Sequence, residues 1–84
     1  MNLDEIKSLL AEAIEHEELT VEHEDNYYLA ITIVSPLFEG LRSVKRQQMV
    51  YQPLNAMIAD GTIHAVKIKA FTAEEWRMHK KLNF

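Results

Sequence analysis

The sequence contains no cysteine and only two glycines and two prolines among 84 residues. Without cysteine the chain forms no disulfide, and it supplies neither a thiolate nucleophile nor a thiolate metal ligand. The glycines, Gly40 and Gly61, are isolated, so no glycine-rich loop is present to cradle a phosphate. Apolar runs of roughly 18 residues, which a membrane span requires, are also missing. The amino-terminal residues lack the basic and apolar segments of a signal peptide, so we expect a cytoplasmic protein, or one of another reducing compartment, without a membrane partner.

Few residues have the spacing that catalysis requires. Of the three serines, only Ser35 is near a predicted loop, and no histidine or acid stands at a motif spacing from it. The carboxylates belong to a solvated acidic face, where nothing marks a pair suited to acid–base chemistry. The four histidines form neither an HxxxH nor an HxH pair, so the sequence contains no self-contained zinc motif. The sequence therefore predicts a protein that is not an enzyme.

Length and charge indicate one small domain, residues 1–84, with an uneven charge distribution. The net charge is −4. Residues 1–26 carry nine acids and one lysine, whereas residues 27–84 carry eight bases and four acids. Such a division is compatible with a basic binding face and equally with an acidic helix that simply faces water. The cations that would form a nucleic-acid or partner contact are Arg42, Lys45, Arg46, Lys67 and Lys69.

The first half of the chain has the pattern of a helix followed by a hairpin. Apolar residues at three- and four-residue spacing predict a helix that is capped by Asn2 or Asp4 and ends near Glu15. A short strand, Leu19–Val21, and a β-branched and aromatic run, Tyr27–Ser35, follow. Because the polar link between them, residues 22–26, is too short for a parallel crossover, we expect an antiparallel pair.

The second half adds a broken helix, a strand and a last helix. The predicted second helix runs from about Ser43 to about Ala59, with a kink or break at Pro53, which removes a backbone hydrogen bond. A strand, Thr62–Ala70, follows the Asp60-Gly61 turn, and Thr72 begins a helix with a capping box that includes Glu75. The residues expected to cover the sheet from the second helix are Val44, Leu54 and Ile58.

This order of elements, α-β-β-α-β-α, predicts the fold class. Three strands with helices packed on one face form a two-layer α+β domain. Alternation in the third strand places Val66, Ile68 and Ala70 on the covered face and both lysines, Lys67 and Lys69, on the other.

Two histidines are candidate metal ligands. His64 stands where the third strand begins, in phase with Val66 and Ile68, and is interpreted either as a partly buried residue bonded to backbone or as a ligand. His23, between Glu22 and Glu24, is either a solvated loop residue or a second ligand. If the two strand ends are adjacent, these imidazoles converge. Two imidazoles do not close a site, so a partner would have to supply the remaining ligands.

Four motifs are specific enough to indicate a family. They are F-x-G at Phe38–Gly40, the basic helix start, V-Y-x-x-L at Val50–Leu54, and I-H-A-V-x-I-x-A at Ile63–Ala70. In these motifs the chain resembles the BolA family of bacteria and eukaryotes, nearer its short acid-stress branch than its longer morphogene branch. The resemblance covers most of the chain and is strongest from Leu37 to Trp76.

The resemblance implies a fold like that of class II KH domains and a monothiol glutaredoxin as partner. In this family the two proteins bridge a [2Fe–2S] cluster, to which the glutaredoxin contributes a cysteine and a glutathione thiolate. The histidine of the I-H-A motif, here His64, is then the principal ligand from this chain. Family members often carry a second histidine in an S-H-F setting, where this sequence has Tyr27-Tyr28-Leu29, so His23 is the remaining choice in that loop.

Two further functions remain open. The family has also been assigned transcriptional regulation through DNA binding, which the five cations named above would carry here. GXXG, the motif with which KH domains clamp nucleotides, is represented only by Gly40. A third possibility is a protein-interaction module that uses Pro36–Phe38 as an exposed apolar anchor and binds glutaredoxin with or without iron. We expect the isolated chain to be a monomer or a weak dimer.

Overall fold

The computed structural model describes residues 2–24 and 28–82, which form four α-helices, three strands and two short 3₁₀ turns. In chain order these elements are α1 (Leu3–Ala13), β1 (Glu18–His23), β2 (Tyr28–Val34), a 3₁₀ turn (Pro36–Phe38), α2 (Ser43–Tyr51), a 3₁₀ turn (Gln52–Leu54), α3 (Asn55–Ala59), β3 (Ala65–Phe71) and α4 (Ala73–Leu82). No helix in the described ranges is long and apolar enough to cross a bilayer.

The three strands form one mixed sheet in the order β1-β2-β3. β1 and β2 are antiparallel, with Glu18 opposite Val34 and His23 opposite Leu29. β2 and β3 are parallel, and Tyr28 pairs with Ala65. The predicted hairpin and the predicted α+β fold are therefore confirmed.

Two strand boundaries differ from the prediction by two or more residues, and the others differ by one or lie outside the described residues. β1 extends to His23, so this residue ends a strand and is not part of a loop. β3 begins at Ala65, three residues later than predicted, because the Asp60-Gly61 turn continues through a non-strand segment. Tyr27, the predicted start of β2, lies outside the described residues.

One face of the sheet carries the core. Leu29, Ile31 and Ile33 of β2 are at most 1% exposed, and they pack with Ile6 and Leu10 of α1. Burying apolar surface in this way contributes roughly 25 cal/mol per Å². The inner stripe of the first helix therefore covers the sheet as predicted.

Pro53 interrupts the second helix as predicted. α2 ends at Tyr51, a 3₁₀ turn follows, and α3 resumes at Asn55. The missing N–H of proline explains the interruption. Val50 and Leu54 are fully buried on either side of it.

Val44 does not cover the sheet, and that prediction is wrong. Its side chain is 68% exposed. By helical periodicity Val44 shares a side of α2 with Gln47 and Tyr51. That side follows the edge of β3, where both polar residues donate to backbone carbonyls, whereas Val50 is the fully buried residue of α2.

The outer edge of β3 is held by three side chains of α2. Each donates a hydrogen bond to a carbonyl at alternate positions of the strand. The pairs are Tyr51 Oη with Val66 (3.3 Å), Gln47 Nε2 with Ile68 (3.0 Å) and Arg46 Nη1 with Ala70 (3.2 Å). Because alternate residues of a strand direct their carbonyls to the same side, side chains of one helix can donate to all three carbonyls along this edge.

The segment Pro36–Phe38 is not a continuous apolar anchor. Phe38 is fully buried, whereas Leu37 is 45% exposed. Ser35 sets this geometry, because its hydroxyl donates to the Glu15 carbonyl (2.5 Å) and accepts the Leu37 N–H (3.1 Å). The resulting turn directs Phe38 inward, so only Pro36 and Leu37 remain at the surface.

The predicted capping box at α4 is confirmed. The Thr72 hydroxyl accepts the Glu75 N–H (3.3 Å), and the Glu75 carboxylate accepts the Thr72 N–H (2.8 Å). This reciprocal pair satisfies two backbone donors at the start of the helix.

Candidate metal-ligand site and basic surface

The two candidate ligand histidines lie at the same end of the sheet. β1 runs antiparallel to β2, so its last residue, His23, is at the end where β2 begins. β3 runs parallel to β2, so His64, which directly precedes it, is at that end as well. The two histidines therefore share one end of the sheet, although their strands are not neighbours.

His64 is exposed at the end of a well-anchored turn. Gly61 has φ +84°, and the Asp60 carboxylate accepts the Thr62 N–H (2.9 Å). The next residue, Ile63, is 1% exposed, and its N–H donates to the Met57 carbonyl (3.1 Å). The backbone is thus fixed while the imidazole faces solvent. The alternative interpretation of His64 differs from the structure in one respect, because the residue is exposed and not partly buried.

Hydrogen bonding within the turn also affects Asp60. The hydroxyl and the backbone N–H of Thr62 both stabilise the Asp60 carboxylate and lower the pKa of that group. The carboxylate therefore stays ionised and keeps the turn formed in mildly acidic solution.

His23 is also exposed, but β2 lies between it and His64. Two strand spacings correspond to about 10 Å between backbones, so the imidazoles approach each other only through their side chains. Residues 2–24 and 28–82 contain no group of three or more potential ligands arranged for a metal ion. As a donor set, two exposed imidazoles fit part of a metal centre and require a partner to complete it.

Charged and aromatic residues flank this end of the sheet. Glu24 Oε1 lies 3.6 Å from Lys67 Nζ, and both side chains are about half exposed. Tyr28, which pairs with Ala65, is 48% exposed at the same end. Sequence reasoning did not single out Tyr28, although an aromatic residue beginning a strand beside the I-H-A motif is a signal for an exposed contact residue.

The five predicted cations belong to two elements that meet at a cleft, which Arg46 of α2 and Lys69 of β3 both line. Arg42 and Lys45 are exposed at the start of α2, whereas Lys67 and Lys69 project from the face of the sheet opposite the core. Arg46 has only 13% of its side chain exposed. It donates to the Leu41 carbonyl and pairs with Glu75, so its charge is engaged within the protein.

Arg46 also shifts the ionisation of its partner. The hydrogen bond from its guanidinium is the main reason that the pKa of Glu75 is lowered, and the Thr72 N–H adds to the effect. A cleft of about 470 Å³ lies beside this pair, between the start of α2 and the carboxyl half of β3. Sequence spacing did not distinguish Arg46 from Arg42 or Lys45, since the contact joins residues 29 positions apart.

A mixed three-stranded sheet with an antiparallel hairpin, one parallel strand and helices over the core face defines a small α+β domain, which carries two exposed histidines at one end of its sheet. The family model described as "BolA-like protein" matches residues 9–75. This chain belongs to the BolA family.

Individual relatives agree with this assignment. Acid stress protein IbaG of Escherichia coli (strain K12) is 45% identical over 83 residues, which are 99% of this chain and 98% of that protein. The DNA-binding transcriptional regulator BolA of Haemophilus influenzae is 44% identical over 45 residues, covering 54% of this chain and 43% of that protein. The solved structure of BolA1 from Arabidopsis thaliana superposes with a TM-score of 0.77 at 32% identity, covering 89% of this chain and 96% of that one. The predicted family is confirmed.

Proposed function

We propose that this protein is a non-enzymatic adaptor that binds a monothiol glutaredoxin and shares a [2Fe–2S] cluster with it. His64 is the principal ligand from this chain, and His23 is the second. The adaptor acts in iron–sulfur trafficking or stress signalling, in the cytoplasm or another reducing compartment. The similarity to an acid stress protein over nearly the whole chain supports the stress context.

The observation that carries the proposal is the exposed imidazole of His64 on a rigid support. Buried Ile63 and the hydrogen-bonded Asp60-Gly61 turn hold its backbone, and the side chain faces outward at the end of the sheet. A ligand offered to another protein needs this combination, because a mobile donor loses entropy on binding. His23 at the same end adds a second nitrogen donor.

The ligand chemistry explains why a chain without cysteine suits this role. Imidazoles on one iron and thiolates on the other give a Rieske-like arrangement, whose potential is higher than that of an all-thiolate cluster. Imidazole coordinates a metal only in its unprotonated form, so protons compete with the cluster for this ligand in acid. The partner's cysteine and glutathione supply the thiolates that this chain lacks.

The test is reconstitution with a monothiol glutaredoxin, glutathione, iron and sulfide, followed by visible circular dichroism of the purified complex. We expect the wild-type chain to give a heterodimer with a mixed histidine–cysteine spectrum. His64→Ala should abolish that spectrum, and His23→Ala should alter it while some complex remains. Far-UV circular dichroism of the same samples checks that each variant is folded.

The matched controls are His16→Ala and His79→Ala. Both residues lie near the opposite end of the sheet, His16 just before β1 and His79 beside Phe71 at the end of β3. Their replacement should leave the spectrum unchanged. A wild-type spectrum from His64→Ala would overturn the ligand assignment. Equal binding of glutaredoxin with and without iron would instead favour the interaction module, with Pro36 and Leu37 as its exposed contacts.

DNA binding is a second candidate function. Lys67 and Lys69 stand two residues apart on the open face of the sheet, where Thr32 lies beside Lys69. The similarity of 45 residues to a protein described as a DNA-binding transcriptional regulator also favours it. Because Arg46 is paired with Glu75, the contact would depend on Arg42, Lys45, Lys67 and Lys69.

Salt dependence tests this second function. When Z cations contact phosphates, the logarithm of the binding constant falls with the logarithm of the salt concentration, with a slope of about −0.9Z. The double variant Lys67→Gln/Lys69→Gln should make this slope less steep, and the single variant Lys45→Gln should do the same. Binding that is absent at low ionic strength, or insensitive to salt, would exclude DNA binding by these residues.

A further inference from the structure

The face of the sheet opposite the core is a second, chemically distinct surface. Side chains of alternate strand residues project from it in rows across the sheet. At one end Phe71 packs against Trp76 and His79 of α4, at the other end lies Tyr28, and two rows lie between them. The first row is Glu22, Ala30 and Lys67, and the second is Thr20, Thr32 and Lys69. We name these six residues the outer face. Its marginal side chains are exposed, and its central ones, Ala30 and Thr32, are only partly covered.

The outer face is acidic along one margin and basic along the other. Glu22 and Glu24 lie at the β1 margin, and Lys67 and Lys69 project from β3. Small side chains on β2 form the floor between them. The resulting trough has a volume of about 380 Å³. Opposite charges separated by a narrow uncharged floor make this face complementary to a surface with the reverse order.

A second copy of the chain provides that reverse order. We propose that the outer face is a self-association surface, in which two copies pack face to face about a two-fold axis parallel to β2. A rotation about this axis exchanges left and right, so Glu22 of one copy lies over the partner's Lys67, and the reciprocal pair forms as well. A two-fold axis perpendicular to the strands would place like charges together, and the charge pattern therefore selects the parallel axis.

The same symmetry fixes the register of the two sheets. A pure rotation about an axis along β2 leaves each residue at its own height, so Thr32 faces the partner's Thr32, and Thr20 faces the partner's Lys69. Packed sheets lie about 10 Å apart, which the small side chains of Ala30 and Thr32 permit. Bulky residues at these two positions would prevent this approach.

The dimer is weak and depends on salt. Three short strands offer less than the roughly 800 Å² per partner of a standard stable interface. The reciprocal ion pairs are exposed at the margins, where salt screens them. Each copy must also loosen its own contact between Glu24 and Lys67, which is 3.6 Å long and about half exposed. We therefore expect association at high protein concentration and low ionic strength.

Charge reversal in two separate chains tests the proposal, with sedimentation velocity as the readout. Glu22→Lys alone places lysine over the partner's Lys67 in both reciprocal contacts, and Lys67→Glu alone places glutamate over the partner's Glu22. We expect each variant to lose roughly ten- to thirtyfold in association constant at low salt. An equimolar mixture of the two variants should associate at least as well as wild type, since both contacts of the mixed dimer then pair opposite charges. A mixture no more associated than either variant alone would overturn the proposal.

Crosslinking through introduced cysteines tests the register independently, because the chain has no cysteine of its own. Two Thr32→Cys side chains on sheets about 10 Å apart are too distant for a direct disulfide, so a bifunctional maleimide of about that length is the reagent. It should link Thr32→Cys into a covalent dimer at low salt and much less in about 1 M salt. Ser43→Cys, exposed at the start of α2, is the control that reports random collision. Equal crosslinking of the two variants would show that the outer face has no preferred contact with itself. Both tests omit glutaredoxin and iron, so their outcome is independent of the proposed function.

Discussion

The Nη1 atom of Arg46 lies 2.6 Å from the Oε1 atom of Glu75, and this contact joins α2 to the first turn of α4. The same guanidinium donates to the Leu41 carbonyl (2.9 Å) and to the Ala70 carbonyl (3.2 Å). Its charge also lies 5.9 Å from the ring centroid of Phe38. One partly buried side chain thus connects the loop before α2, the end of β3 and the last helix.

Replacing Arg46 should destabilise the fold considerably. Arg46→Met leaves two carbonyls and the Glu75 carboxylate without their charged donor, and hydrogen bonds to charged groups contribute about 1.5–3 kcal/mol. We expect the free energy of unfolding to fall by about 2 kcal/mol, as measured by urea denaturation. Arg42→Met, at an exposed position on the same helix end, should change it by less than about 0.5 kcal/mol. Equal effects of the two variants would show that the Arg46 contacts contribute no more than a surface charge.

The pair also makes stability depend on pH. Arg46 and the Thr72 N–H lower the pKa of Glu75 below its ordinary value of 4.5. A carboxyl group whose pKa is lowered by folding stabilises the folded state at pH values above its ordinary pKa. That contribution disappears as the pH falls through the folded-state pKa. Glu75→Gln should therefore be less stable than wild type at neutral pH and approach wild type in acid. Thermal unfolding between about pH 7 and about pH 3 measures the difference.

Glu74→Gln is the control for this titration, since Glu74 is an exposed residue of the same helical turn. Its curve of midpoint temperature against pH should run parallel to that of wild type. If Glu75→Gln also ran parallel to wild type throughout, the ion pair would not be the source of the acid sensitivity.

The turn before His64 should depend on the backbone of Gly61. Its φ of +84° is strained for any residue with a Cβ, and a Cβ placed there meets nothing within 4 Å. The cost of Gly61→Ala is therefore conformational, at roughly 1–2 kcal/mol. Gly61→Asn should cost less, because asparagine tolerates this region better. Urea denaturation of both variants gives the comparison, and an alanine variant as stable as the asparagine variant would contradict it.

Replacing Phe38 should cost far more unfolding free energy than replacing its neighbour Leu37. Phe38→Ala removes a fully buried ring and should cost about 3–5 kcal/mol, because a cavity remains. Leu37→Ala removes a side chain that is 45% exposed and should cost less than about 1 kcal/mol. Chemical denaturation distinguishes the two variants. Similar losses would indicate that the 3₁₀ turn rearranges when Phe38 is removed.

Local rules predicted most of the fold from the sequence. The apolar stripe of α1, the hairpin, the break at Pro53 and the capping box at Thr72 each depend on residues close in the chain, and all four are confirmed. Val44 and Phe38 were predicted wrongly because their burial depends on tertiary geometry. A helix that follows a strand edge exposes Val44, and the distant Glu15 carbonyl helps to turn Phe38 inward.

The candidate site was predictable to a similar degree. Motif position identified His64, and strand direction places His23 at the same end. The role of Arg46 was not predictable from local sequence, since its partner Glu75 lies in a different helix. The charge pattern of the outer face also required the register between strands, which alternation within each strand does not specify.

The three carbonyl contacts along β3 limit how copies of this protein can join edge to edge. Tyr51, Gln47 and Arg46 occupy the acceptors that an incoming strand would use, so the sheet cannot be extended from this side without removing α2. β1 is the other edge of the sheet. A sheet with one closed edge can pair edge to edge with only one partner. Fibrils built by repeated edge-to-edge pairing of the native sheet are therefore excluded for as long as α2 stays in place.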